Sequence, residues 1–134
     1  PRWLRLFNTE ELRVLVTGAD TPIDVEDLRR NTVYGGYHEK DMAVQYFWEA
    51  LSSLDQASLK AFLRFVTSSP NPPLLGFSEL NPKFAIRHAG DDITRLPTAS
   101  TCVNLLKLPA YNSTAQCLEK VKYAIYSGAG FDLS

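Results

Sequence analysis

Hydrophobic residues recur at helical spacing through the middle of the chain. One apolar stripe lies between positions 44 and 54, and a second lies between 59 and 66, beyond a possible helix cap at Asp55. The spacing predicts two amphipathic helices that face a common core. The first stripe contains Val44, Phe47, Trp48, Leu51 and Leu54, and the second contains Leu59, Phe62, Leu63 and Val66.

Two short capped helices are predicted before these stripes. Asn8 followed by Glu11 fits a capping box, and Gly18 can end that helix. Asp24 can cap a second helix, whose pattern fades at Asn31.

Glycine and proline divide the chain further. The adjacent Gly35 and Gly36, between two tyrosines, predict a turn that can serve as a pivot. The prolines at positions 70–73, with Gly76 close behind, predict a loop.

Two strands and a last helix are predicted in the second half. Hydrophobic and polar positions alternate around Ile86, and the apolar run 103–108 is short and lies between two prolines. Ser113 with Gln116 offers another capping box, opening a helix that Gly128 can end. The order of these elements predicts an α/β (α+β) fold, a small β-sheet flanked by helices.

Composition limits the classes of function. The 134 residues, 45% of them hydrophobic, suit one domain with a real core. A net charge of -1 and the lack of a basic run argue against nucleic acid, and no apolar run approaches the roughly 20 residues of a membrane span. Two cysteines and two histidines are too scattered for a zinc site, so we expect no metal, and we expect no cofactor. One disulfide would not make a framework in a chain with a sufficient core, so we expect two free thiols. We also expect a soluble intracellular protein.

Cys102 is the candidate nucleophile. Small and hydroxyl side chains precede it, and Pro97 stiffens the approach to the predicted strand that begins at Cys102. The competing interpretation is a small buried hydrophobic residue at a strand start, and composition alone favours that one. Cys117 lies within the last helix, where packing accounts for it. Asn104 would share a strand face with Cys102 and could orient a loop or an acyl group.

Two other kinds of chemistry are weaker hypotheses. A cysteine hydrolase would need His88 beside Cys102, and no recognised protease signature surrounds the cysteine. The adjacent Asp91 and Asp92 are more typical of a solvated turn than of paired acid and base carboxylates.

The segment at positions 96–109, LPTASTCVNLLKLP, closely resembles the active-cysteine segment of HECT ubiquitin ligases. Further segments resemble HECT landmarks in the same order, and among relatives the chain is most similar to the UBE3C and fungal Hul5 group. These segments are FNTEELRVLVTG, IDVEDLRRNTVYGGY, YFWEAL, FLRFVTSSPNPPLLGF and the closing GFDLS. The similarity spans essentially the whole chain.

The resemblance implies a domain division. Residues 1–34 would be the helical end of the larger N-lobe, 35–37 the interlobe hinge with Gly35 and Gly36, and 38–134 the C-lobe. Most of the N-lobe, which in the family recruits the ubiquitin-conjugating enzyme, would then be missing, so this fragment by itself would be weakly active or inactive.

The resemblance also implies the chemistry. Cys102 would accept ubiquitin as a thioester from a ubiquitin-conjugating enzyme and pass it to a lysine of a protein substrate, in the cytoplasm or nucleus, upstream of proteasomal degradation. Thr101 and Asn104 would position the reacting groups. Phe131 matches an aromatic that supports lysine transfer in the family, with an apolar plug at the end of the last helix as the alternative, and Asp132 could orient the acceptor lysine.

One position departs from the family pattern. Many HECT ligases have histidine two residues before the cysteine, whereas Ser100 stands there in this chain. A proton-handling role at that position therefore cannot be transferred. The rival to the enzyme hypothesis is a noncatalytic ubiquitin- or protein-binding module in which Cys102 is structural.

Overall fold

A computed structural model describes residues 22–127. In this range there are four α-helices, two 3-10 turns and four strands. The helices are α1 (Val25–Arg30), α2 (Met42–Ser52), α3 (Gln56–Thr67) and α4 (Thr114–Ser127), and the 3-10 turns are Phe77–Glu79 and Thr101–Val103. The strands are β1 (Val33–Gly35), β2 (Ala85–His88), β3 (Thr98–Ser100) and β4 (Leu105–Leu108).

The strands form one mixed sheet with the order β1-β2-β4-β3. The first three of these are parallel, and β3 pairs with β4 in the antiparallel sense. Ile86, Leu106 and Ala99 lie side by side across the sheet and are all 0% exposed, so the core runs beneath its centre. The predicted α/β fold is confirmed. The three-residue strands β1 and β3 were not predicted, since so short a strand shows no alternation.

The predicted caps account for where the helices begin. The Asp24 carboxylate accepts the backbone N–H of Glu26 at 3.0 Å, and the Asp55 carboxylate accepts that of Ser58 at 2.8 Å. Ser113 Oγ likewise accepts the backbone N–H of Gln116. The first predicted helix, with Asn8, Glu11 and Gly18, lies outside the described residues.

Helices α2 and α3 bury the two apolar stripes as predicted. Phe47, Trp48 and Phe62 are each at most 2% exposed, and Phe62 packs edge to face against Phe84 with ring centroids 6.0 Å apart. The aromatic side chains of α2 and α3 thus pack against Phe84, the residue that precedes β2. Among the described helices, none has the length and apolar character needed to cross a membrane.

Residues 22–34 share this core. Leu28 of α1 is 1% exposed and belongs to the same hydrophobic cluster as Trp48, whose indole N–H donates to the Tyr34 hydroxyl at 3.1 Å. The Asp27 carboxylate accepts the backbone N–H of Phe77 at 2.7 Å. By packing, α1 and β1 are therefore part of the same unit as the rest of the sheet.

The two glycines of the predicted hinge have structural roles in this unit. Gly35 is the last residue of β1 and pairs with Arg87 of β2. Gly36 has φ +76°, and a Cβ on it would lie 3.0 Å from the Cβ of His88, so a tight turn against β2 requires glycine there. The division at residues 35–37 stays a prediction about the family architecture.

Candidate functional site

Cys102 lies in the Thr101–Val103 turn, which connects the antiparallel strands β3 and β4. Its side chain is exposed, and helix α3 packs against the turn. The preceding residue Thr101 is half-buried. A rigid scaffold thus holds a thiol at the surface, which is the access that a nucleophile needs.

Asn104 does not lie on the strand face predicted for it. It ends the turn in the left-handed conformation, with φ 53°, and is only 7% exposed. Its side-chain amide donates to the carbonyl of Pro82 at 2.7 Å, and its own carbonyl accepts the backbone N–H of Ala85 at 3.0 Å. The predicted strand face was wrong because one left-handed residue breaks the alternation of a strand. Asn104 anchors the turn to the segment that leads into β2.

Ser100, the position that departs from the expected family pattern, lies inside the fold. It is 6% exposed and pairs with Leu105 in the β3–β4 ladder. Cys102, two residues further on, is exposed. The chain therefore passes from interior to surface within two residues, at the point where the strand becomes a 3-10 turn.

Val103 is the site residue that the sequence pattern missed. Its side chain is 45% exposed directly beside Cys102, whereas the pattern placed it in a buried strand. Val103 is exposed because it lies in a 3-10 turn, and the hydrophobic pattern of the sequence does not reveal that turn. It gives the thiol an apolar neighbour at the surface.

His88 and Cys102 lie at opposite ends of the sheet. Strands β2 and β4 run parallel, with Ala85 beside Leu105 near the cysteine turn and His88 beside Leu108. Three residues of strand separate the two ends, about 10 Å at 3.3 Å per residue. The His88 ring instead lies 4.6 Å from the Tyr37 ring, and its Nδ1 accepts the backbone N–H of Gly90. The cysteine hydrolase hypothesis is therefore wrong, because it required His88 to lie beside Cys102.

The second thiol has an opposite environment. Cys117 of α4 is 1% exposed, and burial raises its pKa to about 12. A thiol with so high a pKa stays protonated near neutral pH and is a poor nucleophile. The structure thus separates one accessible cysteine from one packed cysteine, in agreement with the prediction that packing accounts for Cys117.

The paired aspartates form a solvated turn, as predicted. Asp92 accepts the Thr94 hydroxyl at 2.5 Å and the Thr94 backbone N–H at 3.0 Å, and these hydrogen bonds lower its pKa. The Asp91 side chain is 92% exposed. Within residues 22–127, no group of three or more histidine, cysteine, aspartate or glutamate side chains could hold a metal ion.

Phe131 and Asp132, the remaining predicted supporting residues, lie outside the described residues. Their roles stay predictions.

Comparison with known proteins gives the family. A family model described as HECT-domain (ubiquitin-transferase) matches residues 1–134. The chain belongs to the HECT family. Its exposed cysteine lies in the segment that resembles the active-cysteine segment of that family.

Similar proteins include three E3 ubiquitin ligases. The chain is 53% identical to E3 ubiquitin-protein ligase HUL5 of Saccharomyces cerevisiae over 134 residues, covering 100% of this chain and 15% of that protein. It is 49% identical to a probable E3 ubiquitin protein ligase of Schizosaccharomyces pombe over 135 residues, 100% of this chain and 13% of the relative. It is 46% identical to E3 ubiquitin-protein ligase UPL6 of Arabidopsis thaliana over 138 residues, 98% of this chain and 13% of the relative.

These matches confirm the predicted similarity to the fungal Hul5 group. This HECT chain spans only about 15% of the length of HUL5. The activity, substrates and partners of a whole ligase are therefore matters of proposal.

Proposed function

We propose that Cys102 accepts ubiquitin as a thioester from a ubiquitin-conjugating enzyme and passes it to a lysine of a protein substrate. The observation that carries this proposal is the exposed thiol on the β3–β4 turn of a HECT chain. The activity would belong to the cytoplasm or nucleus, whose reducing conditions keep such a thiol free.

The proposed reaction consists of two acyl transfers that balance without an oxidant or a cofactor. In the first, the Cys102 sulfur attacks the carbonyl carbon of the ubiquitin thioester, a new C–S bond forms, and the cysteine of the conjugating enzyme leaves as a thiolate that takes up a proton. In the second, a lysine amine attacks the same carbon, an isopeptide bond forms, and Cys102 is released as a thiol. The first transfer begins and ends with a thioester, so positioning dominates its rate.

The fixed turn supplies part of this positioning. The hydrogen bonds of Asn104 to Pro82 and Ala85 hold the end of the turn, and α3 supports its inner side. Asn104 therefore acts on Cys102 through the backbone and does not point toward an incoming acyl group. Thr101 is the adjacent half-buried residue and remains our candidate for direct positioning. We propose supporting roles in lysine transfer for Phe131 and Asp132 from the family resemblance alone.

A charging assay tests the proposal. A HECT polypeptide that carries this chain together with an N-lobe is incubated with ubiquitin, activating enzyme and conjugating enzyme. We expect an adduct that reductant cleaves, and we expect Cys102→Ser to abolish that reductant-sensitive adduct. The matched control is Cys117→Ala, which removes the buried thiol and should leave the adduct in place.

A reductant-sensitive adduct that persists in the Cys102→Ser protein would remove Cys102 from the mechanism. If that adduct is lost in the Cys117→Ala protein while its folding is intact, the nucleophile is Cys117. The binding-module alternative required a structural Cys102, and the exposure of this side chain in a turn gives that alternative no support.

A further inference from the structure

The cysteine turn is anchored to a stretch of chain that is itself held at its far end. Asn104, which ends the turn, donates its side-chain amide to the Pro82 carbonyl at 2.7 Å, and its own carbonyl accepts the Ala85 backbone N–H at 3.0 Å. Both partners belong to residues 77–85, which run from a 3-10 turn to the start of β2 and are called the support segment below. The position of the support segment therefore sets the position of the cysteine turn.

Asp27 of α1 holds the beginning of the support segment. Its Oδ2 accepts the backbone N–H of Phe77 at 2.7 Å, across 50 positions of sequence. Hydrogen bonds to a carboxylate are about twice as strong as those between neutral groups. Phe77 as a residue is only 2% exposed, so water would be a poor substitute for this acceptor. The contact thus ties α1 firmly to the support segment.

The Asp27 carboxylate is oriented for this contact through its other oxygen. Oδ1 accepts the side-chain amide of Asn31 at 3.3 Å and lies 3.7 Å from Nη2 of Arg30. The same Asn31 amide also donates to the Asp27 carbonyl at 2.9 Å. One carboxylate oxygen therefore faces α1, and the other faces the support segment.

The backbone just before the support segment allows the carboxylate to come close. Gly76 has φ +102°, and a Cβ on it would lie 3.0 Å from Oδ2 of Asp27. A side chain at position 76 would both strain the backbone and displace the carboxylate. Glycine at this position therefore permits the hydrogen bond between Asp27 and the next residue, Phe77.

A further contact joins the two ends of the support segment to each other. The Lys83 ammonium donates to the Ser78 carbonyl at 3.2 Å. Ser78 follows the residue that the Asp27 carboxylate holds, and Lys83 follows the residue that receives the Asn104 amide. The contacts therefore run without a gap from α1 to the cysteine turn.

We propose that Asp27 is a positioning residue for Cys102, acting through the support segment on the turn that carries the thiol. The inference rests on the proposed function, since orientation of the thiol matters only if Cys102 reacts with an acyl group. Acyl transfer between two thiols needs an aligned approach, and a displacement of about 1 Å can lower such a rate by about 100-fold. Alkylation by a small reagent needs only access to the thiolate. Comparing the two reactions therefore separates the orientation of the thiol from its exposure.

Paired rate measurements on Asp27→Ala test the proposal. In a HECT polypeptide that carries this chain together with an N-lobe, we expect the rate of charging from the conjugating-enzyme thioester to fall about 10-fold or more. The rate of Cys102 alkylation by iodoacetamide should stay within about 2-fold of the wild type, because the thiol remains exposed. Asp27→Asn keeps an oxygen that can accept the Phe77 N–H and should recover most of the charging rate.

The matched control is Glu26→Ala, which removes a neighbouring carboxylate from α1 at an exposed position. It should leave the charging rate within about 2-fold of the wild type. Amide NMR of the chain of residues 1–134 gives a second readout. Asp27→Ala should move the amide signals of Phe77, Cys102 and Asn104, whereas Glu26→Ala should leave those of Cys102 and Asn104 in place.

A second variant keeps the proposal testable if Asp27→Ala does not fold. Lys83→Met changes an exposed residue and removes only the contact with the Ser78 carbonyl. It should move the amide signal of Asn104 and lower the charging rate while alkylation of Cys102 is retained.

Three results would overturn the role of Asp27 alone. They are unchanged charging in a folded Asp27→Ala protein, charging and alkylation that fall together, and unmoved amide signals of Asn104 in that protein. Failure of the proposed function has a different signature, because the wild-type polypeptide and Glu26→Ala would then form no adduct on Cys102. That outcome would overturn the proposed function and the role of Asp27 with it.

Discussion

At the scale of single residues, the two cysteines show how position decides thiol chemistry. Cys102 lies exposed on a turn, whereas Cys117 lies buried on the inner face of α4. A buried thiol reacts only when the protein opens, and the open fraction of a stable domain is small. The exposed thiol has no such requirement.

We therefore expect alkylation to distinguish the two thiols. In the folded chain, Cys102 should react with iodoacetamide at least about 1,000-fold faster than Cys117, since stabilities of several kcal/mol keep opening rare. Mass spectrometry of peptides after timed quenching measures both rates, and unfolding in urea should make them comparable. Equal protection of Cys102 and Cys117 in the folded protein would contradict the exposed site.

The buried thiol also predicts a pH dependence of stability. The folded pKa of Cys117 is about 12, above its ordinary value of 9.0, so the fold favours the protonated form. Its stabilising contribution is complete below pH 9 and is lost as the pH rises toward 12. The loss should be on the order of 2 kcal/mol near pH 10.5. Burial raises the pKa of Tyr37 and Tyr111 as well, which adds to the alkaline loss.

Urea unfolding between pH 8 and about 10.5 checks this prediction. The free energy of unfolding should fall less steeply in Cys117→Ala than in the wild type, although the variant is less stable at pH 8 because of the cavity. Parallel declines in the two proteins would show that Cys117 does not contribute to the pH dependence.

At the scale of elements, the turn between β3 and β4 depends on one side chain. Asn104 takes the left-handed conformation that ends the turn, and its amide bonds to Pro82 across to the segment before β2. Asparagine tolerates this conformation better than most residues. The hydrogen bond and the backbone geometry thus both hold Cys102 in place.

Substitutions at Asn104 separate these two contributions. Asn104→Ala loses the hydrogen bond and strains the backbone, and we expect a loss of about 2 to 4 kcal/mol in the free energy of unfolding. Asn104→Gly loses only the hydrogen bond and should cost about 1 to 3 kcal/mol. Thermal and urea unfolding measure both values. If the two variants are as stable as the wild type, the anchor has no energetic role.

At the scale of the whole molecule, α1 and β1 are packed into the same unit as the cysteine turn. Leu28 lies in the common core, and β1 extends the sheet beside β2. A single core makes the unfolding of a domain of this size cooperative. Residues 22–127 should therefore unfold together.

Leu28→Ala tests this unity. We expect it to lower the free energy of unfolding by about 2 to 5 kcal/mol while one transition is retained. The control Glu26→Ala changes an exposed residue on the same helix and should stay within about 0.5 kcal/mol of the wild type. A separate early transition in Leu28→Ala, with the remaining unit unchanged, would instead support the predicted joint at residues 35–37.

The sequence by itself determined the long elements and the family. Residues only a few positions apart determine the apolar stripes of α2 and α3 and the caps at Asp24, Asp55 and Ser113. The sequence pattern therefore predicts these features. The ordered segments around Cys102 matched the HECT family because they carry spacing and identity together. Neither inference needed distant contacts.

Only the tertiary structure decided what surrounds Cys102. Its exposure, the inward direction of Asn104 and the distance to His88 depend on strand pairings between residues about 20 positions apart. The strand β1 likewise exists because β2 offers it a partner, since three residues cannot form a strand alone. Local pattern cannot specify such pairings, because the hydrogen-bond partners of a strand lie elsewhere in the chain.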